Sequence, residues 1–326
     1  MARRAVWASA AALACAAAAY GAFVAPATEP SADPGRAGPR VQLRYEWARG
    51  EAARVRTRVE GRGTVREAGV EHSMTMSANL VAREQVTGVG AGGDATVTTI
   101  WESATFNING RVATFAPETA RLDKRVGQSG KVYWRQERGR DRAAREGPGA
   151  FTVDTRQLAV LDFLVQQVQY LRLPAAPVAL DEKWGDMEQV DMPDLRGYMQ
   201  KISQLTALRG GAEEGTCAIR SSLTAPLELA LAPGADELVL RGKATGNMAH
   251  NFDYRRGRLN SASGTLSLDL RARMPGEPPP PPPMAPPEPS MEGASVADEA
   301  DDTAPFMLRM QFEVRVEREH GVSTGE

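Results

Sequence analysis

Apolar and polar side chains alternate residue by residue in several stretches of this chain. The longest runs from Phe306 to Val316, where every second residue is apolar and most of those between are charged. Because successive side chains of a strand point to opposite faces, a period of two predicts strands with one buried and one solvated face. Residues 41–47, 54–59, 73–82 and 266–272 share the pattern. We therefore expect a mostly antiparallel sheet.

One segment has the period of a helix instead. Asp154 suits the N-cap, Gln157 occupies the capping-box position, and Pro174 would end the helix. The apolar positions recur at spacings of three and four: Leu158, Leu161, Leu164, Val165, Val168 and Leu171. One amphipathic helix beside many strands predicts an α+β protein in which the helix helps to cover the apolar face of the sheet.

Two stretches of similar sequence, 84–100 and 203–219, suggest an internal repeat. The matched pairs are Gln85 with Gln204, Thr87 with Thr206, and Thr96 with Thr216. Trp47 and Trp184 each precede the first strands of their half. Coincidence between two hairpins of common composition is the alternative. We expect two related, curved, half-barrel-like β-units joined by the stretch that contains the main helix.

Composition divides the chain further. The segment 275–305 holds 11 of the 22 prolines, seven acidic residues and no basic one, so it cannot bury enough apolar surface to fold. We predict that it is a disordered insertion in a hairpin, because loop closure costs little more as a loop lengthens. The predicted regions are a leader (1–27), a linker (28–40), a first β-unit (41–150), the helix and its connection (151–183), a second β-unit (184–318) interrupted by 275–305, and a flexible tail (319–326).

The leader predicts export. Arg3 and Arg4 precede an uncharged, mostly apolar run, which is typical of a cleaved signal peptide. The run from Val6 to Val24 is also long enough to remain as a membrane anchor, and Cys15 could be lipidated instead. All three alternatives place the rest of the chain outside the cytoplasm, whether periplasmic, secreted or membrane-anchored. Any contact with the membrane would be made through this N-terminal segment.

Three short motifs carry a resemblance to a known family. They are VQLRYEWARGE at 41–51, LPAAPVALDEKW at 173–184 and HNFDYRRGRL at 250–259. Together they resemble a family of exported bacterial domains of unknown function, which has a central L-P-x-x-P-V-x-x-G-D-x-W motif. Asp181 and Glu182 stand where that pattern has Gly and Asp, so the turn there is expected to differ. The resemblance implies no activity. In architecture, the chain is more remotely similar to the open half-barrels of periplasmic lipoprotein carriers, which wrap a curved sheet around lipid.

Motifs for chemistry are weak. Gly88-x-Gly90-x-x-Gly93 matches a dinucleotide-binding fingerprint, but strand-like residues follow it and no helix does, so we predict a hairpin connection. His72, His250 and His320 lack metal-ligand spacing, and Cys217 lacks a local histidine partner. We therefore predict no cofactor, no metal and no catalytic residue. Dispersed carboxylates that meet only in the folded chain are not excluded by sequence.

The methionine-rich faces could line an adaptable apolar cavity, or they could simply fill a core. The predicted ligand-binding residues are Trp47, Met74, Met76, Leu161, Val165, Met248 and Phe252. The basic stretch 121–145 could contact anionic headgroups or an acidic envelope polymer, or it could be a solvated hairpin. No nucleic-acid motif is present. We expect an exported, non-enzymatic envelope protein that binds a partner or an apolar ligand such as lipid on its sheet. The alternatives are an extracellular hydrolase with dispersed acidic residues and a structural envelope spacer.

Overall fold

The computed structural model describes residues 40–115, 121–134, 168–192, 195–210, 215–230, 239–272 and 306–320. Twelve strands make up most of these residues. They are β1 (Ala52–Glu67), β2 (Val70–Val89), β3 (Ala95–Ile108), β4 (Arg111–Phe115), β5 (Arg121–Val126), β6 (Val132–Trp134), β7 (Lys183–Met192), β8 (Leu195–Gly210), β9 (Gly215–Ala230), β10 (Val239–Asp253), β11 (Arg258–Ala272) and β12 (Phe306–His320).

All twelve strands belong to one open, curved, antiparallel sheet. Its order is β6-β5-β3-β2-β1-β12-β11-β10-β9-β8-β7, and β4 pairs with the far end of β3. The first and last strands are therefore neighbours near the middle of the sheet. The strands that flank the proline-rich segment also pair, with Arg271 opposite Met307, while 275–305 lies outside the described residues.

The alternation in the sequence corresponds to two different faces of this sheet. In β12, Leu308, Met310 and Phe312 are at most 3% exposed, whereas the residues between them are exposed. The same alternation runs through β1, β2, β10 and β11. We call the two sides the buried face and the polar face. The prediction of a mostly antiparallel sheet with one packed side is confirmed.

The main amphipathic helix is not seen. Within the described residues helix is confined to Val168 and Gln169, and the preceding positions, including Leu161 and Val165, lie outside them. From Tyr170 to Leu173 the chain is buried without being helical. The apolar spacing of three and four residues was therefore misleading at the C-terminal end of the predicted helix. The residues there are buried, but they belong to an irregular segment. No helix in the described residues is long and apolar enough to span a bilayer.

The two edge strands, β6 and β7, follow one another along the chain, so their connection passes from one edge of the sheet to the other. The described part of this connection, 168–182, packs with the core. The Leu171 amide donates a hydrogen bond to Tyr45 Oη at 3.0 Å, and the Trp184 indole donates to the Arg172 carbonyl at 2.8 Å. Paired hydrogen bonds of 2.9 Å join Val41 to Val178. Residues 40–48 and 168–182 therefore lie together against the core.

A turn before β1 recurs in detail before β7. Residues 48–51 and 179–182 each form a turn whose glutamate side chain accepts a hydrogen bond from the first amide, at 3.3 and 2.9 Å. The third residue of each turn has a positive φ, which is 84° at Gly50 and 66° at Asp181. That residue donates its amide proton to the carbonyl of Val86 in one half and of Leu205 in the other, at 2.8 and 2.7 Å. Asp181 thus adopts a conformation that glycine favours.

The strand facing each turn also has the same irregularity. Thr87 and Thr206 sit where the register shifts between β2 and β3 and between β8 and β9. Each threonine hydroxyl donates to a carbonyl across the ladder, of Thr96 at 3.2 Å and of Ala218 at 3.1 Å. Thr96 therefore corresponds to Ala218. The sequence comparison had matched it with Thr216. Trp47 precedes Ala48 as Val178 precedes Ala179, so the matched turns pair Trp47 with Val178 and not with Trp184.

The glycine fingerprint is a hairpin connection. Strand β2 ends at Val89 and β3 begins at Ala95, with no helix between them. The Gly90 amide donates to the Asp94 carbonyl at 2.8 Å, and the Gly93 amide donates to the Gly90 carbonyl at 2.9 Å. Gly93 has a φ of 79°, which side chains other than glycine rarely adopt. The glycines therefore turn the chain and do not open a phosphate-binding helix.

Candidate functional site

The predicted apolar ligand residues meet in one continuous core. Met74, Met76, Met248 and Phe252 are at most 5% exposed. Trp47 is half-buried at its edge and stacks on Tyr45 with 5.3 Å between ring centres. The Phe252 ring meets Tyr45 edge-on at 5.2 Å. These residues pack against other side chains of the core, while Leu161, Val165 and the lipidation candidate Cys15 lie outside the described residues.

Glu84 is the centre of a buried polar cluster that the sequence analysis missed. Its Oε1 accepts a hydrogen bond from Lys124 Nζ at 2.5 Å, and both of its oxygens accept from Tyr170 Oη at 2.9 Å. Arg318 contacts Oε2 through Nη2. We call these four residues, together with Thr99 at 3.4 Å, the Glu84 cluster. It ties β2, β3, β5, β12 and the crossing connection together.

The two cations of the cluster also face an aromatic ring. Lys124 Nζ lies 4.8 Å from the centre of the Tyr170 ring, and the Arg318 guanidinium carbon lies 5.5 Å from it. A desolvated cation over an aromatic face is stabilised by the quadrupole of the ring. Tyr170 therefore serves as a hydrogen-bond donor at its hydroxyl and as a cation-binding surface at its ring.

The electrostatics of the cluster fix its protonation state. Burial favours the neutral acid of Glu84, but the charges of Lys124 and Arg318 and the hydrogen bonds outweigh it and lower its pKa to about 2. Burial and the Glu84 charge raise the pKa of Tyr170 to about 12. Near pH 7 the carboxylate is thus ionised and the phenol neutral. Neither pKa is close to the value that general acid–base catalysis needs, so the cluster is best explained as a structural ion-pair network.

The second half of the sheet has a different polar group at the matching place. Glu84 lies opposite Thr99 in the ladder, and the corresponding pair is Ser203 opposite Ser221. The two serine hydroxyls are 2.9 Å apart and buried. A hydroxyl pair thus stands at this ladder position, where the first half of the sheet holds Glu84 and Thr99.

Lys201 and His250 are also buried in this half. Burial, followed by the charge of Arg172, lowers the pKa of Lys201 to about 8. Burial and the charge of Lys201 lower the pKa of His250 to about 3, so the imidazole is neutral over most of the pH range. Arg172 itself is paired with Asp186 at 3.2 Å and Glu188 at 2.6 Å. The His250 side chain is thus 3% exposed and neutral near pH 7.

A groove crosses the polar face of the five central strands. It has a volume of about 660 Å³. Neighbouring strands lie roughly 4.8 Å apart, so the groove spans about 19 Å from β2 to β10. We call it the polar-face groove, and its lining residues are Arg62, Gly63, Thr64, Ser73, Met74, Thr75, Lys243, Thr245, Ser267, Leu268, Asp269, Arg309, Met310 and Gln311.

The floor of the groove follows one row of the sheet. Met74 and Met310 both lie opposite Gly63, and Leu268 lies opposite Met310. The residues on either side of this row project onto the polar face because side chains alternate along each strand. At Gly63 a methyl group would lie 2.0 Å from the Arg309 carbonyl oxygen, so the neighbouring backbone passes too close for any side chain. Glycine at this position is therefore built into the floor.

The groove carries three cations and a single carboxylate. Asp269 Oδ2 pairs with Arg309 Nε at 3.4 Å, and both side chains are about half exposed, at 49%. Arg62 and Lys243 form no ion pair within the described part of the chain. No histidine or cysteine is among the residues that line the groove. The arrangement is suited to binding by charge and hydrogen bonds, and it offers no nucleophile with an adjacent base.

The described residues contain no group of three histidine, cysteine or acidic side chains arranged to hold a metal ion.

Two residues of the Glu84 cluster have a recognisable signal in the sequence. Glu84 continues the apolar face of β2 two residues after Ala82, and Arg318 does the same after Val316. A charged residue in phase with a buried face signals a buried ion pair. Lys124 has no such pattern around it.

No protein-family model matches this chain, and the search of curated proteins finds no relative. The family resemblance carried by the sequence motifs therefore stays a prediction. So does the exported location inferred from the leader, because residues 1–39 lie outside the described residues.

Proposed function

We propose that this protein is an exported, non-enzymatic envelope protein that binds a partner molecule on its curved sheet, through the polar-face groove. The observation that carries the proposal is the groove itself, a concavity of about 660 Å³ lined from five adjacent strands, two of whose cations have no ion-pair partner in the described chain. Concave sites with a few polar groups are where proteins most often bind ligands. Strands also hold such groups more rigidly than loops do.

The repeated turn and bulge support a second part of the proposal. We infer that β1–β2–β3–β5 and β7–β8–β9–β10 are two related units, placed side by side in the same orientation. Strands β11 and β12 lie between them, and the groove runs from β2 of one unit to β10 of the other. In this view, the binding surface exists only because the two units share one sheet.

Binding is better supported than hydrolysis. The carboxylate of the groove, Asp269, is paired with a cation, and Glu84 is held by two. His250 is buried and neutral, away from the residues that line the groove. A hydrolase needs a carboxylate or histidine that reaches the substrate with a suitable pKa. The residues that line the groove include one carboxylate, that of Asp269, and no histidine.

Site-specific photo-crosslinking tests the proposal. A photoreactive residue at Ser267 lies in the groove, whereas one at Ser263 lies on the same face of β11 outside it. In the cells that make the protein, we expect Ser267 to capture a discrete envelope component and Ser263 to capture none. Equal capture at both positions, or none at either, would contradict a binding role for the groove.

An apolar ligand is the second candidate. One observation favours it: in the described part of the chain, the irregular segments 40–48 and 168–182 pack on the methionine-rich buried face, and their release would expose part of that face. The test is native mass spectrometry of protein purified without detergent. A lipid that co-purifies with the chain, and that dissociates when Phe252→Ala opens the aromatic contact with Tyr45, would support it. Protein free of lipid at every step would exclude this candidate.

A further inference from the structure

We propose that the polar-face groove binds a linear polymer that carries phosphate or sulfate groups, and this inference rests on the proposed function. The groove holds Arg309 and Lys243 in one row of the polar face, on either side of Asp269, and Arg62 in the adjacent row, two residues along β1 from the partner of Arg309. Arg62 and Arg309 come from neighbouring strands, β1 and β12, and Lys243 comes from β10, two strands further on. At the usual strand spacing the cations are thus about 5 and 10 Å apart across the sheet.

The charge of these cations is available to a ligand. Arg62 and Lys243 make no ion pair in the part of the chain that the structure describes, and both are exposed. The third cation, Arg309, shares the Asp269 carboxylate at 3.4 Å in a half-exposed pair. Exposed pairs of this kind contribute little to stability, so a phosphate can replace the carboxylate at small cost. Arginine suits this role because its guanidinium binds phosphate through two parallel hydrogen bonds.

The remaining side chains of the groove suit a ligand polymer whose oxygens accept hydrogen bonds. Beside the cations, six hydroxyl or amide side chains line the groove: Thr64, Ser73, Thr75, Thr245, Ser267 and Gln311. No aromatic residue lines the groove. Neutral sugars and nucleobases would be held by stacking on aromatic rings, so the groove is better matched to a ligand recognised by its charge.

The shape of the site favours a flexible polymer over a membrane surface. A single extended polymer chain can enter a groove whose floor is at Gly63. The headgroups of a lipid bilayer form a flat array, which cannot enter it. The length of about 19 Å fits a few repeats of such a polymer lying across the strands. We therefore commit to a soluble linear polyanion, and anionic vesicles become an outcome of the test.

The test measures binding of fluorescently labelled sodium polyphosphate to the exported chain by anisotropy, over a range of salt concentrations. The double variant Arg62→Gln/Lys243→Gln removes the two unpaired cations. Its control, Arg58→Gln/Arg315→Gln, removes two arginines that lie opposite each other on the same face outside the groove. All four side chains are exposed, so both variants should fold, which their unfolding midpoints will verify.

We expect the groove variant to weaken polyphosphate binding by about tenfold or more and to reduce the salt slope by about 1.5, since each lost phosphate contact removes somewhat less than one released counterion. The control should change affinity by less than about twofold. Dextran sulfate should compete, and neutral dextran should not. Equal losses in both variants would overturn the proposal, because binding would then follow the charge of the whole face.

Three other outcomes would also overturn it. They are no polyphosphate binding at moderate salt, competition by neutral dextran, and competition by phosphatidylglycerol vesicles as strong as that by dextran sulfate. If photo-crosslinking at Ser267 still captures an envelope component in any of these cases, the groove is a binding site for another class of ligand. If neither Ser267 capture nor polyphosphate binding is found, the proposed function fails as well.

Discussion

Glu84 and Lys124 form a buried ion pair, with 2.5 Å between Oε1 and Nζ, although their strands are not neighbours. Strand β3 lies between β2 and β5, and both side chains reach over it on the buried face. The Lys124 side chain is fully buried and that of Glu84 is 5% exposed. A pair so placed cannot be hydrated when one member is removed.

Glu84→Gln should therefore destabilise the protein strongly. The substitution keeps the shape of the side chain but leaves Lys124 and Arg318 as uncompensated buried cations, at a cost of about 3–5 kcal/mol. Glu102→Gln is the matched control because Glu102 pairs with Arg54 at 2.7 Å on the surface. We expect about 1 kcal/mol or less there. Urea unfolding measures both values, and similar losses would show that the Glu84 cluster is not a structural centre.

The pH dependence of stability follows from the same cluster. The folded-state pKa of Glu84 is about 2 against an ordinary value of 4.5, so the unfolded chain takes up the proton first as pH falls. The stabilisation is fully present above pH 4.5 and is lost between about 4.5 and 2. His250 and His320, with pKa values lowered to about 3 and about 4 from 6.5, add a loss of stability that begins at higher pH.

Unfolding free energies measured from pH 7 to pH 2 test this order. The unmodified chain should begin to lose stability below about pH 6.5 through the histidines, and the Glu84 contribution to the loss should begin below about pH 4.5. Glu84→Gln should keep the upper part of the profile and lose the Glu84 contribution to the lower part. A profile of the same shape in both proteins would mean that Glu84 is not ionised in the folded chain.

The strands could be predicted from sequence because their signal is local. Val55, Thr57 and Val59 alternate with arginines, and this alone places them on the buried face of β1. The hairpin at Gly88–Gly93 could be predicted for the same reason, since the residues that follow it are β-branched. Burial of Leu171 did not require a helix, however, and its spacing to Val168 was not evidence for one.

The groove could not be predicted because its geometry depends on register. Arg62 and Arg309 lie on adjacent strands although 247 positions separate their numbers, and nothing near either residue marks the other. The floor depends on Gly63 meeting the Arg309 backbone, which is a contact of the folded sheet. The sequence comparison pairs Thr87 with Thr206, which both lie at bulges, but it pairs Thr96 with Thr216 instead of Ala218, because no residue type marks the register of the strand that follows.

The two matched turns should respond in opposite ways to substitution. Gly50 and Asp181 both have positive φ. A non-glycine residue in this conformation costs roughly 1–2 kcal/mol, and aspartate less than most. Gly50→Ala should thus destabilise by about 1 kcal/mol, purely through the backbone, because nothing lies within 4 Å of the new methyl group.

Asp181→Gly should be neutral or stabilise by up to about 1 kcal/mol, since relief of the turn opposes the added freedom of the unfolded chain. Thermal unfolding of both variants measures the difference. A loss of stability in Asp181→Gly as large as that in Gly50→Ala would show that the two turns are not equivalent.

Gly63→Ala should be severely destabilising. Its methyl group would lie 2.0 Å from a backbone oxygen and 2.7 Å from the Met310 Cα, and neither can move without breaking the ladder. We expect a loss of about 3 kcal/mol or more, in the range of overpacked sites. Gly185→Ala in β7 is the control, because its nearest atom would be 3.8 Å away. Alanine there should be neutral or slightly stabilising, by up to about 1 kcal/mol. Equal effects in the two strands would contradict the close backbone approach.

Strand β12 lies between β1 and β11 at the middle of the sheet, and its fifteen residues pair with β1 from Ala53–His320 to Glu67–Phe306. The strands are therefore synthesised in a different order from the one in which they lie in the sheet. During synthesis, two partial sheets can form early, and each presents an unpaired inner edge of the kind that recruits foreign strands. Only the last strand made joins them. The chain must avoid aggregation until β12 is in place. The contacts that complete the sheet are those with the largest sequence separation.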